Sequence, residues 1–380
     1  MNLSRRDFVR TALAGSAFSG FAVADEPGKP AFPGLTVRMH QPRNLEFPIS
    51  ELQGPIIPNE QFFIRSHFAV PALDVKTWKL KVEGAIDKPL EMTMSELQKL
   101  PQKTMPATIE CAGNGRVHLA PQAPGLQWGQ GAVGNAEWTG VTLASVLAAA
   151  GVKNSAVDVI LEGADSGVVA NPPSPGAIPF SRSLPIEKAN RDEVLLAFKM
   201  NGETLPASHG FPLRAVVGGW YGMASVKWLS RIVVSDKPYQ GFWQTLDYSY
   251  FQRRDGQPTL VPVKAVLPKA ILARPTLNEV LPEGKAARLF GAAWAGENAI
   301  DKVDVSVDGG KTWMKAKLLA EPKPFQWVLW EYVWEKPAQG EAAIVAKATD
   351  SKGLTQPTTR DPDRRTYMIN HLVPTTVFVK

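Results

Sequence analysis

The chain has 380 residues, 44% of them hydrophobic and 21% charged, which suits two or three folded domains and excludes a disordered or multi-span membrane protein. Its formal charge of +6 is spread along the chain without a basic run, so a nucleic-acid partner gains no support. The single cysteine, Cys111, excludes an internal disulfide framework, a cysteine-rich zinc site, an iron–sulfur cluster and a C-x-x-C-H haem attachment.

In chain order, Ser4-Arg5-Arg6-Asp7-Phe8-Val9-Arg10 precedes a stretch of small apolar residues over 11–24 that ends in Ala22-Val23-Ala24. This reads as a twin-arginine export signal over residues 1–24, with the periplasm as destination. The stretch is too short for stable membrane insertion. Trp78, Leu80 and Val82 alternate with lysines as a half-buried strand does, and Ser95-Glu96-Leu97-Gln98 has the look of a capping box opening a short helix. The run Ile109-Glu110-Cys111-Ala112-Gly113-Asn114-Gly115-Arg116 passes from a strand into a turn of small residues, where backbone can approach a ligand and Arg116 favours a thiolate. An unpaired thiol in an exported chain needs such a purpose.

Residues 142–150, stopped by Gly151, form a predicted helix, and residues 157–161, 211–217 and 226–234 are predicted buried strands. The first part is therefore α+β, with no G-x-G-x-x-G or P-loop pattern to mark a nucleotide fold. From residue 265 the pattern becomes all-β. Val303, Val305 and Val307 alternate with polar residues, Asp308-Gly309-Gly310 makes a hairpin turn, and residues 325–334 and 342–348 supply further strands. An immunoglobulin-like sandwich over residues 265–380 follows, with Trp294, Trp313, Trp327, Trp330 and Trp334 in its core or at an interface.

Four motifs now stand in one order: Phe62-Phe63-Ile64-Arg65-Ser66-His67, Glu110 to Arg116 as above, Ser208-His209-Gly210-Phe211-Pro212-Leu213-Arg214, and Ser225-Val226-Lys227-Trp228-Leu229. Together with Asp304-Val305-Ser306-Val307-Asp308-Gly309-Gly310-Lys311-Thr312-Trp313, they resemble the sulfite oxidase family of molybdenum enzymes over about residues 50–350. The resemblance implies a molybdopterin-binding catalytic domain over 25–264, then an immunoglobulin-like dimerisation domain over 265–380. It implies one molybdenum-molybdopterin per chain, with Cys111 as the protein's metal ligand, and Phe63, Ile64, Arg65, Ser66, His67, Asp165, His209, Arg214, Ser225, Val226 and Lys227 around the cofactor. Soft sulfur ligation suits a redox-active metal of this kind. Arg65 and Arg116 match the substrate-pocket arginines, and Tyr248, preceded by Asp247, matches the active-site tyrosine.

The activity implied is oxidation of sulfite to sulfate by oxygen-atom transfer. No haem domain is expected, because residues 25–50 leave no room for one, so electrons would pass to an external acceptor, a c-type cytochrome. A homodimer through the second domain is a further expectation. Three features depart from the family pattern: Gly115 replaces a basic residue, Asn171-Pro172-Pro173-Ser174-Pro175 lengthens a loop, and Arg365 matches the family's C-terminal pocket arginine only poorly. A molybdenum reductase of S-oxides, N-oxides or nitrate on the same fold, or an inactive periplasmic binding protein, are the alternatives.

Overall fold

Two five-stranded sheets organise the first part of the computed structural model, which describes residues 34–380. The export signal expected over residues 1–24 lies outside the described residues. In one sheet, Gln102–Glu110 pairs antiparallel with Val133–Thr142, from Gln102 opposite Val141 to Glu110 opposite Val133. Val133–Thr142 pairs in turn with Val194–Met200, which also carries Arg214–Val217. The second sheet runs in the order Leu90–Met92, Leu80–Gly84, Leu229–Ser235, Asp158–Gly167, Ile178–Pro185. Both bury β-branched and aliphatic side chains: Val141, Val159, Leu161, Leu195, Leu196 and Ile232 have no exposed surface.

Helix is scarce. Among the described residues α-helix is confined to Met94–Leu97, Leu143–Ala150 and Ile186–Ala189, so the α part of the expected α+β class reduces to three short pieces on a mostly β body. Thr142 caps the longest of them by accepting from the Ser145 amide at 3.2 Å, and Gly151, at φ 70°, closes it. The first helix does have a capping box, but its N-cap is Thr93 rather than Ser95, with Glu96 reaching back to the Thr93 amide at 2.8 Å. Two predicted strands are shorter than expected. Within residues 211–217 only Arg214–Val217 pairs, and the strand expected from residue 226 starts at Leu229, after Trp228 turns the chain at φ 50°. Of the residues released from the two strands, Lys227 and Trp228 line the cleft described below, while Leu213 and Val226 stay in the core.

After residue 265, Lys269–Arg274, Ala287–Trp294, Val328–Trp334 and Lys317–Leu318 form a four-stranded sheet. Val280–Leu281, Thr375–Val379, Gly340–Asp350, Ile300–Ser306 and Met314–Lys315 form a five-stranded one. Leu289, Trp330, Val303, Val305, Ile344 and Val377 fill a shared core between them, as the alternation at 303 and 305 predicts. The hairpin turn uses Gly309 and Gly310 at φ 74° and 92°. Trp294 and Trp327, with ring centroids 6.2 Å apart, belong to the apolar core of the first part, so the core is continuous across residue 265. Trp313 and Trp334 are only half-buried.

Candidate active site

The strand Gln102–Glu110 delivers Cys111 to a tight turn. The Cys111 amide donates to Ala132 O at 2.9 Å, its carbonyl accepts from the Asn114 amide at 2.9 Å, and the Arg116 amide donates to Gly113 O at 3.1 Å. Asn114 locks the turn from within, accepting from the Ala132 amide and donating to Glu110 Oε1 at 3.1 Å. Gly115 sits at φ 93°, in the left-handed region that its lack of a side chain allows. Cys111 is buried yet lines a cleft.

That cleft gathers most of the expected residues. Phe63, Arg65, Ser66, His67, Cys111, Asp165, His209, Arg214, Ser225, Lys227 and Tyr248 all line it. Three cations therefore face one carboxylate. Arg214 is buried and donates to His209 O and Ser225 O at 2.9 and 3.1 Å, and burial without a counter-charge lowers its pKa to about 9. Lys227 Nζ donates to Ser66 Oγ at 2.9 Å and Ser208 O at 2.8 Å, and burial beside Arg214 holds its pKa well below the usual lysine value. His209 is driven down to about 3 by burial and by Lys227 and Arg214, so its imidazole is neutral. Buried cations bonded mainly to carbonyls and hydroxyls need an anion to offset their desolvation. A phosphate-bearing pterin would supply one, and the thiol of Cys111 in the same cleft is a soft ligand of the kind that would suit molybdenum. The residues present fit the cofactor.

Asp165 opposes this charge, and burial pushes it up to about 6 against the pull of Lys227. Because its folded pKa lies above the ordinary 3.8, folding takes up a proton between about pH 4 and 6, and that stabilisation is lost as pH rises through 6. Cofactor-free Asp165→Asn is therefore expected to gain about 2–3 kcal/mol over wild type between pH 4 and pH 7. Urea unfolding at both pH values measures it, and a difference independent of pH would contradict the assignment.

Tyr248 follows a π-helical turn, Trp243–Asp247, which is held by Arg182. This fully buried arginine donates to Trp243 O and, at 2.9 Å, to Val263 O. The Tyr248 hydroxyl lies 2.8 Å from His67 Nε2, and the His67 ring stacks on Phe180 at 4.5 Å. Burial and the neighbouring Arg65 keep His67 neutral, and burial raises Tyr248 so that it stays protonated.

Three expected residues do not line the cleft. Ile64 and Val226 are core residues whose backbones bond Leu45 and Ala215. Arg116 is spent elsewhere: its guanidinium donates to Leu126 O at 2.6 Å, Thr366 Oγ1 at 2.7 Å and Thr366 O, and lies against Gly113, where a Cβ would collide. It ties residue 366 to the Cys111 turn and lies over the ring of Tyr367, which packs on Tyr248. Arg365 donates to Ser249 Oγ at 2.7 Å and does not line the cleft either.

Residues 67–243 match the oxidoreductase molybdopterin binding domain, and residues 263–372 match the Mo-co oxidoreductase dimerisation domain. Mitochondrial sulfite oxidase of Mus musculus is 37% identical over 89% of this chain and 64% of its own length, and sulfite oxidase of Gallus gallus is 36% identical over 86% and 74%. The chain belongs to the sulfite oxidase family. It spans less than two thirds of the mouse relative's length. The sulfane dehydrogenase SoxCD of Paracoccus pantotrophus shares the fold, with a TM-score of 0.76 and 30% identity over 88% of this chain and 84% of that one. The match over residues 67–243 includes Cys111 and most of the residues that line the cleft. Phe62 and Trp228, members of two of the motifs, also line that cleft, and so do Phe180 and Met223, which escaped sequence reasoning because a buried apolar residue carries no signal separating a cavity wall from a core.

Proposed function

We propose that the protein oxidises sulfite to sulfate at a mononuclear molybdenum-molybdopterin centre held by Cys111. The observation that carries this reading is one cleft in which a thiol, an arginine with unused donors and a protonated tyrosine meet. When bound, the cofactor supplies oxygen-atom transfer and accepts the two electrons released. The chain supplies recognition and orientation. Arg65 spends Nη1 on Asn44 Oδ1 and Ser66 O, which leaves Nε and Nη2 for an oxyanion. In the tautomer with hydrogen on Nε2, His67 donates to the Tyr248 hydroxyl, whose own hydrogen is then free for the bound anion. Because burial keeps Tyr248 protonated, it serves as a hydrogen-bond donor rather than a base. Phe62, Phe180 and Trp228 wall the cleft with apolar surface, and a less polar surrounding strengthens these contacts.

Arg65→Gln is expected to raise the sulfite KM by about 10- to 100-fold, the loss of one charge-assisted contact. Sulfite-dependent reduction of ferricyanide measures it, with nitrate and S-oxides tried against a reduced dye in parallel. An unchanged KM, or turnover of the reductase substrates alone, would defeat the reading. Export by the twin-arginine route to the periplasm, supported by Ser4-Arg5-Arg6-Asp7-Phe8, makes a c-type cytochrome the external electron acceptor. The second region is read as an immunoglobulin-like dimerisation domain, supported by its two sheets over one core and by the match over residues 263–372. Among the described residues no helix is long and apolar enough to cross a membrane.

A further inference from the structure

We propose that residues 366–368 form a strap that completes the active site from the far end of the chain, and that Tyr367 is the positioning residue for Tyr248. The inference rests on the sulfite-oxidising reading of the cleft. Three consecutive residues each hold a different part of the site. Thr366 takes the Arg116 guanidinium on both its carbonyl and its hydroxyl oxygen. The Met368 amide donates to Ala112 O at 2.7 Å, next to Cys111.

Between them, Tyr367 is buried, and its hydroxyl donates to Asp247 Oδ1, on the residue immediately before Tyr248. The two tyrosine rings pack with centroids 5.0 Å apart at 35°, and Arg116 lies over the outer ring 5.6 Å from its centroid. Tyr248 is thus held from two sides, by His67 at its hydroxyl and by Tyr367 at its ring and preceding carboxylate. Arg365 and Met368, which bracket the strap's turn, both adopt φ 56° without being glycine. Backbone of that kind persists where surrounding contacts over-determine it.

A tyrosine used as a hydrogen-bond donor contributes only if its hydroxyl is already aimed when the anion arrives. Tyr367 provides that aim without touching the substrate, because it is absent from the cleft lining. Arg116 fits the same scheme, as the anchor of the strap.

The test compares wild type, Tyr367→Phe, Tyr248→Phe and the double variant, each normalised to molybdenum content. Tyr367→Phe keeps the ring and removes the bond to Asp247. It is expected to lower kcat by about tenfold with little change in the sulfite KM. The double variant is expected to turn over at the rate of Tyr248→Phe alone, because the outer tyrosine acts through the inner one. Hydrogen exchange is expected to show reduced protection over residues 243–249 in Tyr367→Phe, with the unfolding midpoint near that of wild type. Wild-type kcat in Tyr367→Phe, or losses that multiply in the double variant, would overturn the proposal, as would unchanged exchange protection. Absence of sulfite turnover in molybdenum-loaded wild type would instead remove the functional reading, and the exchange measurement would still decide whether the strap fixes the Tyr248 segment.

Discussion

Replacing Cys111 with serine is expected to cut sulfite turnover by about a thousandfold or more while leaving the fold and the pterin content intact. Loss of a hydrogen-bonded partner behind a metal ligand already costs about 10- to 100-fold, and loss of the ligand itself costs more. A serine hydroxyl is nearly the size of the thiol but is a hard, protonated oxygen in place of a soft thiolate. The turn survives the exchange because its bonds are backbone or belong to Asn114: Cys111 N to Ala132 O, Asn114 N to Cys111 O, and Ala132 N to Asn114 Oδ1. The pterin's proposed partners Arg214, Lys227 and Ser225 hold their places through His209, Ser66, Ser208 and Val217 rather than through Cys111. Turnover within tenfold of wild type would remove Cys111 from the metal site.

The second large effect concerns the buried ion pair beneath the same turn. Glu110, 1% exposed, accepts from Lys269 Nζ at 2.9 Å, from Trp294 Nε1 at 2.9 Å and from Asn114 Nδ2 at 3.1 Å. Lys269 and Trp294 come from the paired strands Lys269–Arg274 and Ala287–Trp294, and Lys269 also donates to Asn114 O at 3.1 Å. The two regions of the chain therefore grip the Cys111 turn through one carboxylate. Lys269→Met leaves that carboxylate buried without its cation and is expected to cost about 3–5 kcal/mol in urea unfolding. Adding Glu110→Gln should return most of the loss, since the amide keeps an acceptor for Trp294 without the charge. A loss in Lys269→Met below about 1 kcal/mol, the size of an exposed pair, would contradict this account.

The residues that were legible in the sequence are those whose chemistry is rare. A lone thiol after a strand, in a turn of small residues, could be singled out without knowing its surroundings, and Arg65, His209, Arg214 and Lys227 gained meaning only because their motifs stand in one order. The partner of Arg116 was hidden for a physical reason: the sequence shows a cation near the thiol but not Thr366, 250 positions away, which takes its guanidinium. Tyr367 and the strap were invisible for the same reason of distance. Residues 211–213 and 226–228 lie outside the strands, which the sequence hides because an apolar run looks the same whether its residues reach the core from a sheet or from a loop. The second region was more legible than the first, since the alternation at Val303 and Val305 and the Asp308-Gly309-Gly310 turn are local signals.

The central claim is that one molybdenum-bearing cleft converts sulfite to sulfate. Product analysis of molybdenum-loaded protein mixed anaerobically with excess sulfite, with no electron acceptor present, tests it most directly. One sulfate per molybdenum-loaded chain is the predicted result. Full molybdenum loading with no sulfate formed would contradict it.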